Sequence, residues 1–178
     1  MLKFGKRRSK TLVILAAILV FGVAALASGR FNLGFGPNTN RDNWPTQFSS
    51  NGERIYFIGT SSSGMPITPT GGGMHMRMHG GGCASCHGAD RLGGRLMPSF
   101  WIKVPPLIPA ALFKTDDDHS GDDGHGNHDA YNDETLRRAI TKGMDPGGKQ
   151  LDPGMPRWSM AERDLADLIE FIRSPDRH

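Results

Sequence analysis

The sequence lacks the features that define several common classes of protein. No internal repeat is visible in its 178 residues, which excludes a repeat array. A stretch of clustered basic residues is also missing from the rest of the chain. Five of the 21 Lys and Arg residues lie in the first ten positions, and the remaining 16 are outnumbered by 18 acidic residues. This charge balance excludes a nucleic-acid partner.

Hydrophobic residues are also in modest supply, at 37% of the chain. The 24 Gly and 12 Pro make up about a fifth of it, against an average of roughly 12% for the pair. The length allows one domain with a core of roughly 100 to 130 residues. We therefore expect a loop-rich domain, in which a large apolar cofactor supplies part of the core.

The N-terminus carries an export signal. A basic segment, residues 1 to 10, precedes nineteen uncharged residues, 11 to 29, and a helix of that length reaches about 28 Å, close to a bilayer core of about 30 Å. The basic residues predict that the N-terminus stays in the cytoplasm and that the rest is exported. Two interpretations stay open, a transmembrane anchor and a cleaved signal, since Ala25 to Ser28 resembles a signal-peptidase site.

The exported part divides into a linker, residues 30 to 47, and a domain, residues 48 to 178. A short apolar segment from Gly52 to Ile58 predicts one or two turns of helix, with a strand as the alternative. Residues 59 to 82 are rich in Ser, Gly and Pro and predict a loop. Residues 115 to 129 are almost wholly Asp, His, Gly and Asn, and predict a solvated loop.

Two helices with clear end signals are predicted near the C-terminus. Asn132 or Asp133 caps the first, and Gly143 ends it. Ser159 and Glu162 predict a capping box at the start of the second. Apolar residues recur at helical spacing in both, as Leu136, Ala139 and Ile140 in the first and Leu165, Leu168, Ile169 and Ile172 in the second.

The only two cysteines of the chain carry the strongest functional signal. Cys83, Cys86 and His87 match the haem attachment sequence Cys-x-x-Cys-His, in which each thiol adds to one vinyl group of the haem. Two intervening residues in a tight turn set both sulfurs along one edge of the porphyrin, and the next residue brings its imidazole to the iron. We expect one covalent haem c, with His87 as an axial ligand.

Three other interpretations of the cysteine pair compete with haem. A disulfide fits an exported protein, and a thioredoxin-like pair uses the same spacing, but that fold needs alternating strands and helices that this sequence lacks. A zinc or copper site could use His75 and His79 with the two cysteines. The histidine directly after Cys86, the export signal and a downstream methionine loop together favour haem.

A thioether opposite the histidine would complete the coordination of the iron and raise its reduction potential. Met155 is the first candidate because Pro153 and Pro156 stiffen its loop just before the last helix. Met144 and Met160 are the nearest alternatives. For any single methionine, ordinary core packing is the competing explanation.

These motifs resemble class I cytochrome c, and in particular small membrane-anchored bacterial cytochromes with a Met-Pro-Arg-Trp loop after the haem site. The resemblance covers roughly residues 50 to 174. It implies a mostly helical fold around one haem, with His87 and Met155 as axial ligands. Two departures are the long segment between Ile58 and Cys83 and the Asp/His loop at 116 to 129.

The resemblance implies an electron carrier without catalytic residues, working between respiratory partners on the periplasmic side of a bacterial membrane. Its expected partners are a quinol-oxidising complex, another cytochrome or a terminal oxidase. If the signal is cleaved, the protein is periplasmic or secreted. The alternatives are a haem-bearing oxidoreductase subunit with an open iron site, and a copper-binding protein that uses residues 74 to 79.

Overall fold

The computed structural model describes residues 41 to 74, 76, 80 to 96, 102 to 113 and 130 to 175. The chain divides into two units, Met1–Phe35 and Gly36–His178. The first unit, with the predicted anchor or signal at 11 to 29, lies outside the described residues, as does the predicted solvated loop at 115 to 129. Within the described part of the chain, no helix is long and apolar enough to cross a bilayer.

The described residues of the second unit form five helices and little sheet, which fits the predicted fold class. A 3-10 turn, Arg41–Asn43, precedes the first helix. The helices are α1 (Asn51–Ile58), α2 (Ala84–His87), α3 (Pro109–Leu112), α4 (Asp133–Lys142) and α5 (Glu162–Arg173). The strands are β1 (Thr68–Thr70), β2 (Gly94–Arg95), β3 (Lys103–Val104) and β4 (Arg157–Ser159).

Local signals at both ends explain why the segment before the Gly-rich stretch is helical. The Ser50 side chain accepts a hydrogen bond from the Glu53 backbone N–H at the start of α1, and Gly59 ends the helix in the left-handed conformation with φ of 66°. The helix prediction is confirmed and the strand alternative is wrong. Ile55, Tyr56 and Phe57 are buried.

Helix α1 packs closely against α5. A Cβ atom at Gly52 would lie 2.0 Å from the carbonyl oxygen of Asp167, so only glycine fits at this crossing. The ring centroids of Tyr56 and Phe171 are 5.2 Å apart. The two helices thus meet despite the long segment that follows α1.

Helix α4 follows its sequence signals. Asn132 is the N-cap, and its side chain and that of Thr135 each accept the other's backbone N–H, which forms a capping box. Gly143 ends the helix with φ of 65°. Both predicted end signals are confirmed, because each depends on residues within one turn of the helix end.

The capping box predicted for the last helix is wrong. The N-cap of α5 is Ala161, and no side chain caps it. Ser159 instead belongs to β4, where it lies opposite Thr68 of β1. Strand pairing holds Ser159 in an extended backbone two residues before the cap, out of place for capping.

Two small antiparallel sheets complete the domain: β1 pairs with β4, and β2 pairs with β3. The predicted loop at 59 to 82 therefore contains a strand. The sequence showed no strand there because β1 is three residues long, has Pro69 at its centre and is exposed throughout, so it has no alternation of apolar and polar residues.

Candidate functional site

One helical turn brings together the three residues of the predicted haem motif. Cys83 is the N-cap of α2, and its carbonyl oxygen accepts from the backbone N–H of Cys86 at 3.1 Å and of His87 at 2.9 Å. Residues three apart on a helix lie on the same side, so the two thiols share one face. They are free thiols, which is the state that addition to vinyl groups requires.

The imidazole of His87 is oriented for a metal. The ring is buried, and its Nδ1 lies 2.8 Å from the carbonyl oxygen of Pro105. A carbonyl oxygen can only accept, so Nδ1 carries the proton and Nε2 carries the lone pair that can bind iron. Such a hydrogen bond on the far nitrogen holds the ring and raises its basicity as a ligand.

The backbone just before the motif packs against the C-terminal end of α1. Gly82 donates its N–H to the carbonyl oxygen of Phe57 at 3.2 Å, and a Cβ at Gly82 would lie 2.3 Å from the carbonyl oxygens of Ile55 and Tyr56. Any side chain at Gly82 would push the motif away from α1. Glycine is therefore required just before Cys83.

Tyr56 holds the other side of the motif. Its hydroxyl is buried and donates to the carbonyl oxygen of Gly88 at 2.8 Å. Burial, as the main cause, raises the pKa of the Tyr56 phenol well above its ordinary value, so the group stays a neutral donor at physiological pH. The motif is thus held at Gly82 and at Gly88 by one helix.

The packed domain keeps both thiols protonated. Burial raises the pKa of the Cys83 thiol to about 12, with a further contribution from Cys86, and burial raises the pKa of Cys86 to about 11. The thiolate is the reactive form of cysteine, so thiols in this environment react slowly.

Arg91 connects the segment after the motif to the last helix. Its guanidinium is buried and donates to the carbonyl oxygens of Phe171 at 3.0 Å, Ile172 at 3.2 Å and Ser174 at 3.0 Å. The Arg91 carbonyl accepts from the N–H of Leu107 at 2.7 Å, two residues beyond the partner of His87. No sequence signal pointed to this residue, since each of its partners is distant along the chain.

The loop that carries Met155 is held mainly by Arg157. The guanidinium of Arg157 donates to the carbonyl oxygen of Leu151 at 3.0 Å and to that of Met155. Gly143 leaves the room for this, because a Cβ there would lie 1.7 Å from Nε of Arg157. The N–H of Met155 also donates to the carbonyl oxygen of Asp152 at 3.0 Å. Hydrogen bonds within the chain thus define the shape of this loop.

The candidate methionines differ in their surroundings. Met155 and Met144 are both half-buried, and among the described residues neither joins the core cluster, whereas Met160 packs against it. Met144 pairs with Gln150 in an isolated bridge. What distinguishes Met155 from Met144 is its loop, whose backbone is held by Arg157.

Met76 is a fourth methionine, which the sequence analysis placed in the possible copper-binding stretch but did not consider as an iron ligand. It is 7% exposed and belongs to the core cluster. Its position in a Gly-rich stretch predicted a mobile loop instead. Met76 therefore needs its own variant in any test of the iron ligands.

The alternative metal sites receive no further support. His75 and His79 lie outside the described residues. In the described ranges no group of three or more His, Cys, Asp or Glu side chains is placed to hold a metal ion. The donor set that the described residues bring together in one turn is one imidazole with two thiols, and this set fits haem c.

A comparison with protein families matches residues 76–176 to the family described as cytochrome c. The matched stretch is more than half of the chain and includes the Cys83 to His87 turn and the Met155 loop. No curated protein and no solved structure matches the chain.

Proposed function

The chain belongs to the cytochrome c family, whose members bind haem covalently and transfer electrons, and on that premise we propose that it is a mono-haem electron carrier. The observation that carries this proposal is the single turn that unites Cys83, Cys86 and His87, with His87 hydrogen-bonded to Pro105. One such motif, using the only two cysteines of the chain, supports one haem.

Each residue of the proposed site has a separate task. Cys83 and Cys86 would form the two thioether bonds, which would hold the cofactor permanently even where the chain is loosely packed. His87 would bind the iron through Nε2, and the Pro105 carbonyl keeps its ring in orientation. Met155 would supply a thioether to the iron, a ligand that favours the ferrous state and raises the potential.

Haem, when bound, supplies an iron that alternates between two oxidation states, so the protein needs no acid, base or nucleophile. The task of the chain is to keep both axial ligands in place during this change. The hydrogen bonds of His87, Gly82 and Gly88 would hold the histidine ligand, and those of Arg157 would hold the Met155 loop.

We also propose that the carrier works on the periplasmic face of a bacterial membrane. The basic residues before the uncharged run at 11 to 29 support export of the haem domain, either anchored or released. Its partners would be a quinol-oxidising complex, another cytochrome or a terminal oxidase. Single-electron exchange with such proteins is the chemistry that a mono-haem site can perform.

An absorption spectrum with a redox titration of the native protein tests this function. We expect one haem per chain and a six-coordinate, low-spin spectrum that carbon monoxide does not change in the ferrous state. Rapid binding of carbon monoxide by the wild-type protein would contradict the carrier and favour an oxidoreductase subunit with an open iron site. The absence of reversible one-electron behaviour would also contradict it.

Arg157→Gln should loosen the Met155 loop while haem stays attached. The variant loses charged donors to the carbonyl oxygens of Leu151 and Met155, each worth about 1.5 to 3 kcal/mol. We expect a lower reduction potential and partial binding of carbon monoxide, measured by redox titration and by the spectrum of the reduced protein.

Arg163→Gln is the matched control for this change. Arg163 is exposed on α5, so its replacement removes the same charge without touching the loop. Equal shifts in both variants would attribute the effect to net charge and would contradict a positioning role for Arg157.

A further inference from the structure

The long segment between α1 and the haem motif is attached to the Met155 loop. Strand β1 pairs antiparallel with β4, which begins two residues after Met155. Thr70 lies opposite Arg157, and Thr68 lies opposite Ser159. Residues 68 to 72, called the strap below, precede the stretch that matches the cytochrome c family.

The pairing between the strap and β4 depends on backbone groups. All three side chains of β1 are exposed, so their burial does not hold the strand in place. Pro69 has no N–H, and in an antiparallel ladder this places the hydrogen-bonded pairs at Thr68 and Thr70. A short strand alone is weak, so it needs anchors beside it.

Gly72 and Met76 supply such anchors. The N–H of Gly72 donates to the carbonyl oxygen of Pro153 at 3.3 Å. A Cβ at Gly72 would lie 2.6 Å from Cγ of Met76 and 3.1 Å from Cβ of Pro156, so the three residues are in close contact. Met76 is buried in the core.

The strap thus contacts the ligand loop on both sides of Met155. Pro153 lies two residues before the methionine, and Pro156 with β4 follows it. Arg157 holds the same loop through its hydrogen bonds to the carbonyl oxygens of Leu151 and Met155. Displacement of the loop around Met155 would have to break or bend its contacts with the strap.

We infer that the strap is a positioning element for Met155, which sets how firmly the thioether stays on the iron and so tunes the haem potential. This inference rests on the proposed function, because it takes Met155 as the axial ligand. A loop that is held in its binding position loses less freedom when the bond forms, so the bound state gains population.

Two adjacent glycines of this region form a matched test. Gly72 and Gly73 have φ of 76° and 58°, so alanine is strained at either position. Only at Gly72 would the new Cβ contact neighbours, namely Met76 and Pro156, since nothing lies within 4 Å of a Cβ at Gly73. The pair separates backbone strain from displacement of the loop.

Gly72→Ala should let carbon monoxide reach the ferrous iron roughly tenfold faster than in the wild type, a factor that corresponds to about 1.4 kcal/mol. The iron–thioether charge-transfer band of the ferric protein should weaken, and the potential should fall. Gly73→Ala should leave all three readouts near wild type. Equal behaviour of the two variants, or no change in either, overturns the inference.

Thr70→Pro tests the strap independently, should the Gly72 variant fail to fold. Proline removes the N–H that Thr70 contributes opposite Arg157, whereas Thr70→Val keeps the backbone and changes only an exposed side chain. We expect faster carbon monoxide binding for Thr70→Pro alone. The same wild-type rate in both variants would show that the pairing does not position the loop.

Failure of the strap is distinguishable from failure of the proposed ligand. If Met155→Ala opens the iron and the Gly72 and Thr70 variants do not, Met155 is the ligand and the strap has no positioning role. If Met155→Ala leaves the iron closed and Met76→Leu opens it, Met76 is the ligand, and both the assignment and the inference are wrong.

Discussion

Cys83→Ala or Cys86→Ala should lose most or all of the covalently bound haem and leave the domain poorly folded. In the proposed site each thiol would form one of the two thioether bonds, so a single replacement would remove half of the attachment. Both cysteines lie on the turn that sits against α1, and Cys83 packs against the core cluster. Haem stain on a denaturing gel measures the covalently bound haem directly, and thermal unfolding measures the loss of stability.

The loss of stability should be large because we expect the cofactor to supply much of the core. Replacing one buried aromatic side chain by alanine already costs about 3 to 5 kcal/mol, and a domain has only about 5 to 15 kcal/mol in total. A porphyrin is larger than any side chain. We therefore expect a cysteine variant that fails to retain haem to be unfolded or largely degraded.

Ser85→Ala is the matched control, since Ser85 lies between the two cysteines. Its buried hydroxyl donates to the carbonyl oxygen of Gly80 at 2.9 Å, so its loss should cost about 1 kcal/mol and leave haem attached. A wild-type protein that carries no covalent haem under the same conditions would refute the proposed site altogether.

Met155→Ala should keep the haem attached but lower the reduction potential of the iron and let it bind carbon monoxide. Cys83, Cys86 and His87 remain, so covalent attachment and one axial ligand are preserved. Loss of the thioether removes a ligand that favours the ferrous state, and we expect the potential to fall by on the order of 0.1 V, within the roughly 0.8 V that axial ligands span. The open position should then bind carbon monoxide.

Spectra of the reduced protein with and without carbon monoxide, followed by a redox titration, measure both effects. Met144→Ala and Met160→Ala serve as controls, because these residues flank the same loop at the end of α4 and before α5. Met76→Leu tests the buried methionine that only the structure revealed. If one of these three control variants binds carbon monoxide and Met155→Ala does not, the assignment of Met155 as the ligand is wrong.

The sequence predicted those parts of the molecule whose causes are local. The attachment motif lies within five residues, and the capping box at Asn132 and the stop at Gly143 each depend on one turn of chain. The helix α1 has its cap and its terminating glycine within ten residues of one another. Local rules suffice where hydrogen-bond donors and acceptors are near neighbours.

The false capping box at Ser159 shows where such rules end. Its pattern of Ser and Glu was correct for a helix start, but pairing with Thr68, 91 positions away, placed the serine in a strand. The strand β1 was missed for the same reason. A three-residue strand with a central proline shows no alternation of apolar and polar residues in the sequence. It is a strand only because it pairs with the distant β4.

The sequence by itself determined that the chain carries one Cys-x-x-Cys-His motif, because its two cysteines and its histidine lie within five residues. Only the tertiary structure decided what holds these groups, namely Pro105 on His87, Tyr56 on Gly88 and the strap beside Met155. These contacts join backbone carbonyls and N–H groups that every residue type possesses. These contacts therefore cannot be predicted from the residue types in the sequence and are seen only in the folded structure.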